Sequence, residues 1–140
     1  MNIARFDKRI FAWLLDEVLP LGFGAGMAYI LVHFVGTEIS IFLIVFLSIL
    51  ADYFGYALLN GGLMHLSNGY TLGMAIFGIK TVHPDGERMR FHECWLKALL
   101  TGVIVMDIIN AVYMVSIHTE RSVFDRLTNS LVIDKRNAVE

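Results

Sequence analysis

Long apolar runs separated by short polar turns dominate the pattern of this chain. Three segments reach the roughly 20 apolar residues that a helix needs to cross a bilayer: about residues 10–34, 39–59 and 94–117. Only Gly36, Thr37 and Glu38 separate the first two, which predicts an antiparallel helical hairpin. Asn60-Gly61-Gly62 predicts the end of the second helix by C-terminal glycine chemistry. The loop at 60–93 has shorter patterns of its own. Residues 71–77 predict a short interfacial helix. Residues 79–82 and 88–91 read as strands flanking His83-Pro84-Asp85-Gly86, where Pro second and Gly fourth suit a type I turn. The expectation is a small β-hairpin at the membrane surface, with Leu131-Val132-Ile133 adding a strand if the tail lies on the same side.

Composition agrees with that pattern. The chain is 56% apolar and 17% charged, with a mean hydropathy of +0.63; soluble domains are nearer 45–50% and a quarter. A net charge of −2 gives no footing for nucleic acid. Cys94 is alone, so there is no disulfide framework. The opening MNIARFDKR followed by an apolar run superficially resembles a secretory leader, but that run contains Asp16 and Glu17 and is about twice the length of a leader core. It reads as a retained first span. The chain is therefore expected to be a single all-α membrane domain, 1–140, multi-pass in the cell membrane.

Charge sets the expected orientation. Arg5, Lys8 and Arg9 precede the first span, and Lys80, Arg88 and Arg90 lie in the 60–93 loop, whereas the turn at 36–38 has no Lys or Arg. The positive-inside rule places the N-terminus and the loop in the cytoplasm, with Trp13 and Trp95 just inside the cytoplasmic ends of their spans. The tail, residues 118–140, conflicts with this. One crossing by 94–117 puts Arg121, Arg126, Lys135 and Arg136 outside. A return within the segment, with Asp107 and Asn110 as the obvious break, gives a re-entrant hairpin, which is tolerated only where it is buried or lines a wet cavity. The absence of Pro and Gly between Val103 and Ile117 favours one continuous helix. Both readings stay open.

The candidate chemistry is carboxylate chemistry inside the spans. Asp16 follows Arg9 by seven positions, nearly two turns, so the two share a face. Acids at such depth ordinarily face a partner or water, and Arg9 is the expected charge partner. Pro20 has no N–H to donate to the carbonyl of residue 16, which leaves a carboxylate and a freed carbonyl together, able to hold a cation or a water. Asp52 shares a stripe with Tyr56 and Asn60, and Asp107 shares one with Asn110 and Tyr113. A proton or cation relay through Asp16, Asp52 and Asp107 competes evenly with cross-helix hydrogen bonds that only fix packing. Gly22 and Gly26 are spaced as a GxxxG pair beside Ala25 and predict a close-approach face. The five histidines, His33, His65, His83, His92 and His118, have no metal-site spacing within a span, and neither a metal, a cofactor nor an enzyme activity is expected.

Three blocks resemble one family. The first is Arg9-x-x-Ala12-x-x-x-Asp16. The second is Gly69-Tyr70-Thr71-Leu72-Gly73, then Gly78-Ile79-Lys80-Thr81-Val82 and Asp85-Gly86. The third is Arg121, Phe124-Asp125-Arg126-Leu127 and Ser130-Leu131-Val132-Ile133. Together they resemble the RDD family of small prokaryotic membrane proteins, named for an arginine and two aspartates. The resemblance puts Arg9 and Asp16 at the first two named positions and either Asp107 or Asp125 at the third. Met74 and Ala75 stand where the family often has basic residues, and Thr128-Asn129-Ser130 where it often has Ala-Gly-Thr. For function, the resemblance implies transport, with cation/proton exchange proposed for some members. The expectation is a transport-related protein acting as a homo-oligomer or with a larger membrane partner, because three spans enclose little interior. The alternatives are a non-transporting accessory subunit that packs through Gly22 and Gly26, and an adaptor whose hairpin at 79–91 binds a soluble protein.

Overall fold

The computed structural model describes residues 2–35, 40–117 and 121–135; the predicted turn at Gly36, Thr37 and Glu38, and His118, fall outside them. The chain is mostly helical. Helices α1 (Phe6–Asp16) and α2 (Val18–Ile30) run on through a wider turn at Leu31–Val35, and α3 (Ile41–Leu66) follows. Phe6–Val35 and Ile41–Leu66 are each long and apolar enough to cross a membrane. Apolar side chains cover their outer surfaces: Val18, Leu21, Tyr29, Phe42, Phe46 and Ile49 are all exposed. A water-soluble protein would bury such a surface.

Helices α2 and α3 pack along much of their length, but the residue that allows close approach is Gly24. A Cβ there would lie 3.0 Å from the Ser48 carbonyl oxygen and 3.2 Å from Asp52 Cβ, whereas one at Gly22 or Gly26 would meet nothing within 4 Å. The predicted GxxxG face is thus not the internal contact. Gly24 is two residues from each of these glycines, and at about 100° per residue positions two apart face nearly opposite ways.

Helix α3 also outruns its predicted end. Asn60 and Gly61 lie inside it, and the helix ends at Leu66, just after which Gly69 N donates to Met64 O at 2.7 Å. Packing explains the override: a Cβ on Gly61 would sit 3.3 Å from Trp95 Cα, so this glycine admits the next helix rather than ending its own.

The third predicted span is two short helices. Helix α5 (Phe91–Thr101, 11 residues) lies against α3, and α6 (Ile104–Ser116, 13 residues) follows a break at Gly102 and Val103. At 1.5 Å per residue they measure about 16 and 20 Å, each short of the roughly 30 Å hydrocarbon core. The break falls before Asp107 and Asn110, where Gly102 fits between Tyr53 and Tyr56 of α3.

After the break the chain returns to the end from which it came. Helix α7 (Val123–Leu127) is held by Val123 N donating to Asn110 Oδ1 at 2.9 Å. Strand β2 (Leu131–Asp134) pairs antiparallel with β1 (Ile79–Val82), Thr81 opposite Val132. The N-terminal arm joins them through Ala4 N to Val132 O at 2.8 Å and an Ile3–Ile133 bridge. The arm, the loop and the tail therefore form one cap at one end of the helices.

The predicted hairpin is corrected by the same pairing. The turn at His83–Gly86 forms, with Gly86 N donating to His83 O at 2.9 Å, but residues 88–90 are not a strand and Phe91 already begins α5. The partner of β1 comes from 49 or more residues away instead. The predicted interfacial helix is present as α4 (Leu72–Phe77), between Thr71 as N-cap and Gly78, left-handed at φ 69°, as C-cap.

Candidate functional site

The helices and the cap line a half-open cavity of about 220 Å³. Its wall is mostly apolar, from Ile10, Met64, Met74, Ile79 and Met114 among others, with Asp16, Asp107, Arg9 and Lys97 as its charged members and Asn60, Asn110 and Tyr56 as polar ones. Each water needs about 10–15 Å³ of such space, so the chamber admits several waters or a small, partly hydrated ion.

Asp16 occupies the junction of α1 and α2, and its side chain is directed at α4. Thr71 Oγ1 donates to Asp16 Oδ2 at 2.5 Å, and Gly73 N donates to Asp16 Oδ1 at 2.7 Å. Two sequence features make this fit possible. Thr71 caps α4 by accepting from Met74 N at 3.2 Å, which orients its hydroxyl. Gly73 lies so close to α1 that a Cβ would overlap the Ala12 carbonyl oxygen. The carbonyl freed by Pro20 accepts from Asn60 Nδ2 at 3.5 Å.

Arg9 is not the partner of Asp16. Its Nη2 donates to Asp125 Oδ2 at 2.5 Å, and Lys97 Nζ donates to Asp125 Oδ1 at 2.6 Å and to Ser130 Oγ at 2.9 Å. The seven-residue spacing puts Arg9 and Asp16 on one face, as expected, but backbone and hydroxyl donors of α4 reach Asp16 first. Asp125 is almost wholly enclosed, at 1% side-chain exposure. Burial pushes its carboxyl up, yet the Lys97 ammonium and the Arg9 guanidinium outweigh burial and hold it well below the usual carboxylate range. Asp125 also accepts from Ser122 N at 3.1 Å, closing a capping box on α7. Of the two aspartates the sequence left open, Asp125 is thus the one folded against Arg9. Lys97 was missed in the sequence because a lysine at the mouth of an apolar segment reads as a snorkelling residue; Asp125 and Ser130 become its partners only through the tail's return.

The other acids divide. Asp107 lines the cavity with a buried Oδ2 that has no hydrogen-bond partner, and the buried Trp13 Nε1 on the same wall has none. Trp13 thus faces inward instead of joining an interfacial belt. Asp52 is not on the cavity wall; it lies beside Gly24 at the α2–α3 contact, while Tyr56 and Asn60 of its stripe do line the chamber. Tyr113 leaves the Asp107 stripe, its ring 5.8 Å from the Arg126 guanidinium. Asp85 serves the turn, Oδ1 accepting from Glu87 N at 2.9 Å. Around that turn, His83 Nδ1 lies 2.9 Å from Asn129 O and Nε2 2.9 Å from Glu93 Oε2.

The sequence model of the RDD family matches residues 3–129. The chain belongs to the RDD family. The match begins before Arg9 and ends after Asp125, so it contains Asp16, Lys97 and both candidate aspartates, and with them the whole ion cluster except Ser130. No curated protein and no solved structure matched the chain.

Proposed function

We propose that this RDD protein is a transport-related integral membrane protein, and that the chamber beneath its cap is where a small cation or a proton resides. The observation that carries the reading is the Asp107 carboxylate, one oxygen unpartnered, on the wall of a cavity about 220 Å³ in size and set among apolar helices. An acid so placed is costly unless it meets water, a proton or a counter-ion. The roles within the site differ from residue to residue. Asp16, with both oxygens engaged, and Asp125, held by two cations, shape the chamber; Asp107 is the group free to exchange.

Orientation follows from charge. All 11 Lys and Arg lie at positions 5–9, 80–97 or 121–136, and none at 10–79. The cap that gathers those stretches is therefore assigned to the cytoplasm by the positive-inside rule. On this reading α5 and α6 form a re-entrant pair, supported by the cavity they line. With two full spans per chain, the working unit is a homo-oligomer or a complex with a larger membrane partner.

The test is cation-driven proton movement in proteoliposomes. Asp107→Asn should abolish flux while leaving the melting temperature near that of the parent. Unchanged flux in folded Asp107→Asn protein removes the proposal. A second reading, a non-transporting accessory subunit, has its own observation: Gly22 and Gly26 face open space beyond the helix pair. It requires a membrane partner that co-purifies and is lost on Gly22→Leu, together with absence of flux in the parent protein.

A further inference from the structure

The cap carries a second feature that the chamber does not use. Tyr70 lies between the end of α3 and the start of α4, where its neighbours Leu66 and Ile76 are exposed at 78% and 57%. On the proposed orientation, on which this inference rests, this end of α3 lies at the boundary between hydrocarbon and headgroups, the level at which tyrosines collect. Two ammonium groups converge on its ring: Lys80 Nζ at 5.7 Å and Lys135 Nζ at 5.3 Å from the centroid.

The fold builds this arrangement from three distant stretches. Gly69, at φ +101°, passes so close to β1 that a Cβ would overlap the Thr81 carbonyl oxygen, and Thr81 N donates to Gly69 O at 2.9 Å. That contact lays Tyr70 along β1, beside Lys80. Lys135 follows β2 and is fixed by its own N–H donating to Gly78 O at 3.0 Å. Lys80 is opposite Ile133 in the register, on the sheet face away from Ile79, Val132 and the buried Asp134. Asp134, the acid next to Lys135, is taken by Lys8.

Cation–π attraction at such an exposed site is worth only about 0.5–1 kcal/mol. The two ammonium groups lie no more than about 11 Å apart, and their positive fields add at the ring. Holding two cations at one aromatic ring, at headgroup level, suits an anion that bridges them while its apolar part lies along Leu66 and Ile76. We propose that Tyr70, Lys80 and Lys135 form a binding site for the phosphate group of an anionic bilayer lipid. The phosphodiester accepts from both ammonium groups, the Tyr70 ring packs against the glycerol region, and the acyl chains follow the exposed flank of α3 and α4. Such a lipid pins β1 and the segment after β2 at the membrane surface, and so holds the cap over the chamber.

The full chain in detergent is titrated with phosphatidylglycerol and with phosphatidylcholine, and retained lipid is read by native mass spectrometry. Phosphatidylglycerol should be held more tightly. A cationic side chain near an anionic membrane surface contributes about 1 kcal/mol, so Lys80→Gln and Lys135→Gln should each weaken phosphatidylglycerol retention about fivefold, and both together about 25-fold. Arg5→Gln, at an exposed arginine elsewhere on the cap, is the control and should change little. Equal retention of the two lipids overturns the site. So does full retention by the folded double variant, or an equal loss in Arg5→Gln, which would mean diffuse surface charge. Displacement of phosphatidylglycerol by millimolar inorganic phosphate would assign the lysines to a soluble phosphate and overturn the lipid assignment.

Discussion

Replacing Asp125 with Asn tests whether one carboxylate holds the cap onto the helices. Asp125 joins Arg9 of α1, Lys97 of α5 and, through Lys97, Ser130 before β2, at distances of 2.5, 2.6 and 2.9 Å. Asparagine keeps an oxygen for the Ser122 N–H, so the capping box survives and the loss reports charge. Two cations, with side-chain exposures of 14% and 4%, would then lose the carboxylate that they share. Removing one partner of a buried pair costs about 3–5 kcal/mol. For a chain of this size that is a fall of about 9–20 °C in melting temperature, taking about 3–4 °C per kcal/mol. Arg9→Met or Lys97→Met each leaves Asp125 one cation, so each should cost less, near the roughly 1.5–3 kcal/mol of a charged hydrogen bond. Thermal unfolding of the three variants in one detergent gives the order directly. Asp125→Asn protein that melts within about 3 °C of the parent refutes the hub. The pH dependence has a definite sign. The folded carboxyl is held below its ordinary value, so its stabilisation is present in full above the usual aspartate range near pH 4 and is lost as the pH falls through the folded value. Between pH 6 and 8 this group should contribute no slope.

Other outcomes follow from the same geometry. Gly73→Ala should destabilise by more than about 2 kcal/mol, since the new methyl meets the Ala12 carbonyl oxygen; near-parental melting would mean that α4 is not seated on α1. Asp16→Ala should strand the Gly73 N–H and the Thr71 hydroxyl and cost about 2–3 kcal/mol, measured by denaturation, whereas Asp107→Asn should spare stability and remove flux. Partial burial pushes the Glu93 carboxyl up, but the Arg90 N–H and His83 outweigh this and leave it below the usual glutamate range. The link it makes through His83 to Asn129 should therefore loosen as the pH falls through that lowered value, read as faster amide exchange at 129–134; exchange there that does not change with acid counts against the link. In a Cys94→Ser background, single cysteines at Glu87 and Leu127 should react with an impermeant maleimide from the same side of the membrane. Labelling from opposite sides would overturn the return of the tail.

How much was legible in the sequence varied with the range of the interaction. The first two membrane-length helices, α4 and the turn at 83–86 were readable because hydrophobic runs and turns act over a few residues. Asp16 stood out for the same reason, as a charge where the local solvent penalises it, and Arg9 stood out by its helical spacing from Asp16. Their partners were not readable. Arg9 on Asp125 spans 116 residues and Asp16 on Gly73 spans 57, and no local rule ranks a guanidinium seven residues away against a backbone N–H brought in by another helix.

The boundaries between local and tertiary control are clearest at the glycines and in the third apolar segment. By itself the sequence determined that the chain is built for a membrane, that acids lie within its apolar helices, and that it has the RDD pattern. Gly61 carries a helix-ending signal but lies within α3, because Trp95 needs that space. Gly22 and Gly26 have the dimer spacing, but Gly24 faces α3. The segment at 94–117 is apolar enough to read as one span, and only the seat of Gly102 between Tyr53 and Tyr56, with the pairing of β1 to β2, divides it and turns the tail back. Periodicity measures the affinity of a segment for its solvent; it does not encode which distant surface will compete with that solvent. That competition, decided by shape and by charge pairs formed only on folding, created the chamber and left Asp107 on its wall.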